Sequence, residues 1–319
     1  MNTIISRLSA IASIGLLSVG FSAVTASAQD WPTRPVQIAS SEAGGSTDIV
    51  VRLLADQLSK KWGQPIVIDN ANSLVGAQAV QHSAPDGYNL LATGSTFWVG
   101  QLFKPQPYDS INDFVPVALL TSSPSLILAA PSLPANNIEE LIKLVEERPG
   151  ELNYGVASIG SSGYLSAELL KSMAGLDMVR IQYKGASDSL NALMGGEVQL
   201  SFASSSSGMP HVKAGALKAL AVTSATESPA APGIPTVGLE GYDVTSSIGL
   251  FAPIGTPKEI LDKIAQDVAE VLAQPEIQDQ LLGLGTVATP LSAEEFGAKI
   301  DAEVTRISKL IEDENLLAE

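Results

Sequence analysis

The chain has no cysteine, only two histidines (His82 and His211), and 18 basic residues against 34 acidic ones in 319 positions. The missing thiols exclude disulfides, thiolate metal sites and cysteine nucleophiles. Two imidazoles leave almost nothing from which to build a zinc or haem site, so neither a metal nor a cofactor is expected. A formal net charge of −16, with no Lys/Arg cluster to interrupt it, repels phosphate backbones and argues against nucleic acid as a partner. Charged residues are few at 16% and aromatics fewer at 5%, whereas 45% of the chain is hydrophobic. That balance belongs to a folded globular protein, and the length suits about two domains.

Long apolar runs are absent except at the start. Arg7 precedes LSAIASIGLLSVGFSAV, which ends at Ala26-Ser27-Ala28 before Gln29. The apolar run is about 17 residues, short for a membrane span, and the small-residue ending fits a secretory signal peptide cleaved after Ala28. The expected location is therefore the periplasm. Without a cysteine after this stretch, no lipoprotein-type anchor is expected.

Beyond residue 28, short β-rich runs alternate with amphipathic helices, the pattern of an α/β fold with largely parallel strands. PVQIAS reads as a strand. The helix after it places Val51, Leu54, Ala55, Leu58 and Trp62 on one stripe, with Gly63 as its C-cap. QPIVIDN reads as a strand able to feed a core on both faces. FVPVALLTSSPSLILAAP reads as a β segment broken at Pro124, and Thr256 as the N-cap of a helix with Pro257 at its first position. The expected division is a leader over 1–28, a discontinuous first domain over 29–123 plus 231–319, and a second domain over 124–230.

Two strand–small turn–helix units stand out, SSEAGGSTDIV and SIGSSGYLSAELL. A helix N-terminus after a strand offers unpaired amides and about half a positive charge, and glycines let a ligand approach the backbone. Gly44, Gly45, Ser46 and Thr47 on one side, and Ser158, Gly160, Ser161, Ser162 and Gly163 on the other, are suited to holding a carboxylate. Either unit alone also reads as an ordinary tight turn, with Asp48 or Ser162 as a helix cap. Neither matches G-x-G-x-x-G or a P-loop, so nucleotides are not expected. A serine hydrolase needs a G-x-S-x-G elbow, which IGSSGY and FASSSSG do not supply, and no histidine has an orienting acid; an enzyme is not expected.

The runs WPTRPVQIASSEAGGSTDIVVRLLADQLSKKWGQPIVIDN, APDGYNLL, LNYGVASIGSSGYLSAELLKSMAG, IQYKGASDSLNALMGGEV and GLFAPIGTPKEIL together resemble the tripartite tricarboxylate transporter receptor family, the Bug (Bordetella uptake gene) proteins. The resemblance covers essentially all of the chain after the leader. It implies a two-domain α/β periplasmic-binding-protein fold of the type II flytrap kind, with a ligand cleft between the domains. It also implies a monomer that captures a small carboxylate (a di- or tricarboxylate or an aromatic acid) and delivers it to integral membrane permease subunits of a tripartite transporter. A periplasmic sensor for a similar acid is the alternative reading. Carried over residue by residue, Gly44, Gly45 and Asp48 line one wall and Ser158, Gly160, Ser161 and Ser162 the other. The family's third cleft loop falls at TGSTFWVG, bringing in Ser95, Thr96 and Phe97.

Tyr164 stands where the family commonly has histidine, Glu42-Ala43 where it usually has a proline pair, and Ser204 lies in a segment lacking the family's frequent acid. By the resemblance, these departures bear on the ligand's distal end more than on the fold or the proximal clamp. Asp48 reads as a cap that stiffens its turn, or as a recognition group for a ligand amine or hydroxyl. Phe97 and Trp98 read either as core or as flanks of a flat acid. Tyr183 and Lys184 end a strand on the cleft side, with Lys184 either pairing a second carboxylate or simply solvated.

Overall fold

In the computed structural model, which describes residues 31–317 apart from 42, 72 and 158, strands and helices alternate along the chain. The leader expected over 1–28 and Ser158 lie outside these residues. The order begins β1 (Val36–Ser40), α1 (Ser46–Trp62), β2 (Ile66–Asn70), α2 (Ser73–Gln81), β3 (Asn89–Gly94) and α3 (Thr96–Val99). Next come β4 (Phe114–Ala129), α4 (Ile138–Glu147), β5 (Asn153–Val156), α5 (Ser162–Ala174), β6 (Val179–Gln182) and α6 (Ala186–Met194). β7 (Leu200–Ser204), α7 (Ser205–Lys213), β8 (Lys218–Val222) and β9 (Thr245–Pro253) follow, then α8 (Lys258–Leu272), α9 (Pro275–Gly283), β10 (Val287–Leu291) and α10 (Ala293–Asp313).

The strands run β2-β1-β3-β9-β4-β7-β5-β6, with β8 and β10 also pairing β4. The sheet is less parallel than expected: only the ends of this path are parallel, and every pairing of β4 and β9 in the centre is antiparallel, because those strands cross between the halves. β4 belongs to both halves of the molecule. Phe114–Pro124 pair with β9 in a first half, and Ser125–Ala129 pair with β7 in a second. Pro124 does not break the strand as expected: it sits where the pairing passes from β9 to β7 and β8, so its missing N–H falls at the change of ladder.

The return crossing lies beside the first. The Ser125 amide donates to Thr223 Oγ1 (2.8 Å), which donates onward to the Val244 carbonyl (2.7 Å). Val244 N and Thr223 O close the set at 2.9 Å. Before that crossing, Ala231 and Ile234 pack on a core shared with Leu126, Leu190 and Val222.

α1 buries Val51, Leu54, Ala55, Leu58 and Trp62, and Gly63 takes the left-handed C-cap conformation. β2 differs from expectation. It is an edge strand with Val67 49% exposed, so only one of its faces feeds the core. Thr256 does not cap α8; its hydroxyl donates back to the Pro253 carbonyl at 2.8 Å, and Pro257 occupies the cap position. α10 opens on a reciprocal capping box between Ser292 and Glu295. No helix among the described residues is long and apolar enough to cross a membrane.

Candidate ligand-binding site

The turn between β1 and α1 is held from within. Gly44 adopts φ +82°, a conformation glycine takes without a side-chain penalty. Asp48 reaches back one turn, where its Oδ2 accepts from the Gly44 amide (2.8 Å) and from Arg52 Nε (3.0 Å). Its Oδ1 accepts from Asn70 Nδ2 at 2.7 Å. The bond from Arg52, helped by those from Gly44 and Asn70, outweighs burial and holds the carboxyl at a pKa of about 2. Asp48 is thus a buried, fully engaged brace, and the Gly44 amide is committed to it. The first helical bond runs from Ile49 N to Gly45 O, which leaves the amides of Ser46, Thr47 and Asp48 ahead of the helical ladder. At the end of β1, just before this turn, the buried Ser40 hydroxyl has no partner among the described residues.

A cavity of about 320 Å³ opens at this helix end and lies between the two halves. Gly44, Ser46, Ile49 and Val50 form its α1 wall. Ser123 of β4, with Ser246 and Ile248 of β9, forms the floor along the crossing strands. Ser204 and Ser206 face it from the second half, and Leu284 and Thr286, between α9 and β10, complete it. Ser204 is the N-cap residue of α7, so two helix N-termini converge on one space. The Ser204 hydroxyl is within 3.0 Å of Ser206 Oγ and 2.9 Å of Ser207 Oγ.

The halves touch beside the cavity. Ser205 Oγ donates to the Gly285 carbonyl at 3.0 Å, and a Cβ on Gly285 would stand 2.5 Å from that of Ser206. They meet again where Phe103, just after α3, packs edge-on to Tyr164 at 6.0 Å and lies against Gly160.

Of the residues singled out in the sequence, Gly44, Ser46 and Ser204 line this cavity, with Gly45, Thr47 and Asp48 adjoining in the same turn. The others stand elsewhere. Ser161 caps α5 by accepting from Tyr164 N (3.2 Å), and Ser162 Oγ lies 3.4 Å from Ser125 Oγ on β4. Gly163 is pressed against β7, where a Cβ would meet the Phe202 carbonyl at 2.4 Å. Tyr164 is fully buried, its hydroxyl accepting from Arg180 at 3.4 Å. Ser95 donates its amide to Ser247 O (2.9 Å), and Thr96 is exposed. Phe97 lies in an aromatic cluster with Tyr108, Phe114 and Phe251, and Trp98 donates to the buried Glu303. Tyr183 is half-buried against the second half's core, and burial, with Glu197 nearby, raises its phenol pKa; Lys184 is exposed.

Sequence reasoning named Ser204 without seeing its setting. The signal was present: FASSSSG is itself a strand end followed by a small-residue helix start, with Pro210 inside the helix obscuring the periodicity.

Two α/β halves joined by crossing strands around such a cleft make the two-domain fold of the solute-binding proteins, and the structure of periplasmic binding protein BugD shares it at TM-score 0.66 and 31% identity. A family model described as the tripartite tricarboxylate transporter family receptor (TctC) matches residues 50–316, and the chain belongs to that family. Protein BugT of Bordetella pertussis is 32% identical over 298 residues, 90% of each chain. The structure of R. palustris Rpa4515 with adipate is similar at TM-score 0.71 and 33% identity, over 89% of this chain and 98% of that one. MatC from Rhodopseudomonas palustris with bound malate is similar at TM-score 0.67 and 31% identity, over 88% and 100%.

Proposed function

We propose that this protein is a periplasmic receptor that captures a small carboxylic acid in the cavity between its halves and delivers it to the membrane subunits of a tripartite transporter. One observation carries the reading: two helix N-termini, those of α1 and α7, open from opposite halves onto one cavity of about 320 Å³. Each helix end supplies free amides and about half a positive charge, so the pair attracts an anion without any basic side chain. The cavity is at the small end of the range for ligand pockets, about 300–1,000 Å³. Family membership supports the same reading, as do the adipate and malate held by the two similar structures.

The halves pivot where β4 and β9 cross, at Ser123–Ser125 and Val244–Thr245. Closure around the acid shields it from water and presents a joint surface to the permease. The protein acts as a monomer without catalysis, exported by a leader that is removed after Ala28. A thermal-shift screen of residues 29–319, freed of co-purified ligand, tests the capture of acids. A true ligand at a hundred times its Kd adds about 2.7 kcal/mol of stability. Silence from mono-, di- and tricarboxylates, amino acids and aromatic acids alike overturns the proposal.

A further inference from the structure

We infer that a second binding site lies behind the crossing strands and takes a small zwitterion, a molecule carrying one ammonium and one carboxylate group. Neighbouring residues of a strand face opposite ways, and here they serve two different cavities. Ser123 of β4 and Ser246 of β9 line the cavity assigned to the acid. Ser122 and Thr245, the residues just before them, line another of about 340 Å³. The two spaces stand back to back across β4 and β9. The second is enclosed by β10, by the segment 224–229 after β8 and by Lys299 of α10. Its size is that of a pocket for a small molecule.

Its charges set it apart. Lys299 is half-buried and makes no hydrogen bond or ion pair among the described residues. Asp243, half-buried on the same wall, accepts from the Ala225 amide at Oδ1 (3.1 Å), and its Oδ2 has no partner among those residues. The charges around them are spent elsewhere or stand in water. Arg306 donates to the Asp243 main-chain carbonyl, Glu303 accepts from Trp98 Nε1 at 3.0 Å, and Glu227, on the same wall as Asp243, is exposed. A cation and an acid thus share one wall without pairing with each other. Charges drawn partly out of water lose solvation that only a partner returns. An anion alone would satisfy Lys299 but face Asp243 and Glu227, and a cation alone would meet the reverse. A guest with both charges satisfies both sides at once through charge-assisted hydrogen bonds. Val287 and Leu291 offer methyl surface to the carbons between them.

The probes are zwitterions of increasing charge separation: glycine, β-alanine, γ-aminobutyrate and 6-aminohexanoate, each titrated calorimetrically into ligand-free protein beside the plain amine of its length. The expected result is that at least one zwitterion binds, and that its amine binds about tenfold more weakly or worse. Lys299→Gln and Asp243→Asn, which keep shape and remove one charge each, are each expected to weaken that zwitterion about tenfold or more. Neither residue lines the first cavity, so affinity for an acid found in the thermal-shift screen is expected to stay unchanged in both variants, which also shows that they fold. Silence from all four zwitterions overturns the inference, as does zwitterion binding that survives either substitution. Both outcomes leave the capture of acids standing, and an acid screen without a response leaves this test as it is.

Discussion

At the scale of single residues, the turn before α1 depends on the buried carboxylate of Asp48. Asp48 ties Gly44, Arg52 and Asn70 together, so it fixes the turn that lies against the cavity. Its pKa of about 2 lies below the ordinary 3.8 because the Arg52 bond, backed by Gly44 and Asn70, favours the charged form. A depressed acid stabilises the fold above its unfolded pKa and loses that contribution as pH falls through the folded one. The stability gap between the native chain and Asp48→Asn is therefore expected to be full at pH 5 and above. It shrinks between about pH 4 and pH 2, as read from urea midpoints at each pH. This brace was half legible in the sequence: the spacing of Gly44 and Asp48 suggested a stiffened turn. The partner Asn70, a strand away, was not, because nothing local ties the end of β2 to the start of α1.

Elements whose character is set by their own periodicity were readable in advance, and those set by distant partners were not. The stripe of α1 and its C-cap at Gly63 follow from neighbouring residues alone. β2 turned out to be an edge strand because strand order, not its run of Ile66, Val67 and Ile68, decides which strand has a neighbour. Pro124 reads locally as a breaker, yet β4 continues through it because the ladder changes partner there. The choice of cavity wall has the same origin. Two glycine turns looked alike in composition, but which helix end faces α1 depends on how the halves meet, and the answer is α7. The strand crossing is testable at this scale. Thr223 accepts from Ser125 N and donates to Val244 O, so Thr223→Val keeps the shape and orphans a buried amide and a carbonyl. Each unsatisfied buried group costs about 1–3 kcal/mol, and a loss of at least that size is expected in chemical denaturation.

Across the whole molecule, one apolar cluster runs through both halves. It joins Phe97, Trp98, Phe114 and Phe251 of the first half to Tyr154, Leu165, Leu170 and Phe202 of the second. α10 follows it: Phe296 packs on Trp98 and Phe251, while Ile307, Leu310 and Ile311 belong to the part shared with α5. The back of the molecule is thus bound together by a core common to both halves. Gly285 has φ +73°, and a Cβ there would stand 2.5–2.9 Å from Ser206 atoms, two of them backbone. Gly285→Ala is expected to wedge the halves apart. Ligand Kd should rise about tenfold or more, which is about 1.4 kcal/mol of lost closure. Small-angle scattering should show that ligand no longer compacts the protein, while the far-ultraviolet circular dichroism stays native.

Among the described residues, the cavity lining consists of hydroxyls, backbone and methyl groups, which do not titrate across the range in which proteins stay folded. As the surroundings acidify, the ionisation that changes against this wall is that of a guest acid itself. A wall of that kind can also be retuned one small side chain at a time, since exchanging a serine for an alanine or a valine alters the fit without leaving a stranded charge behind.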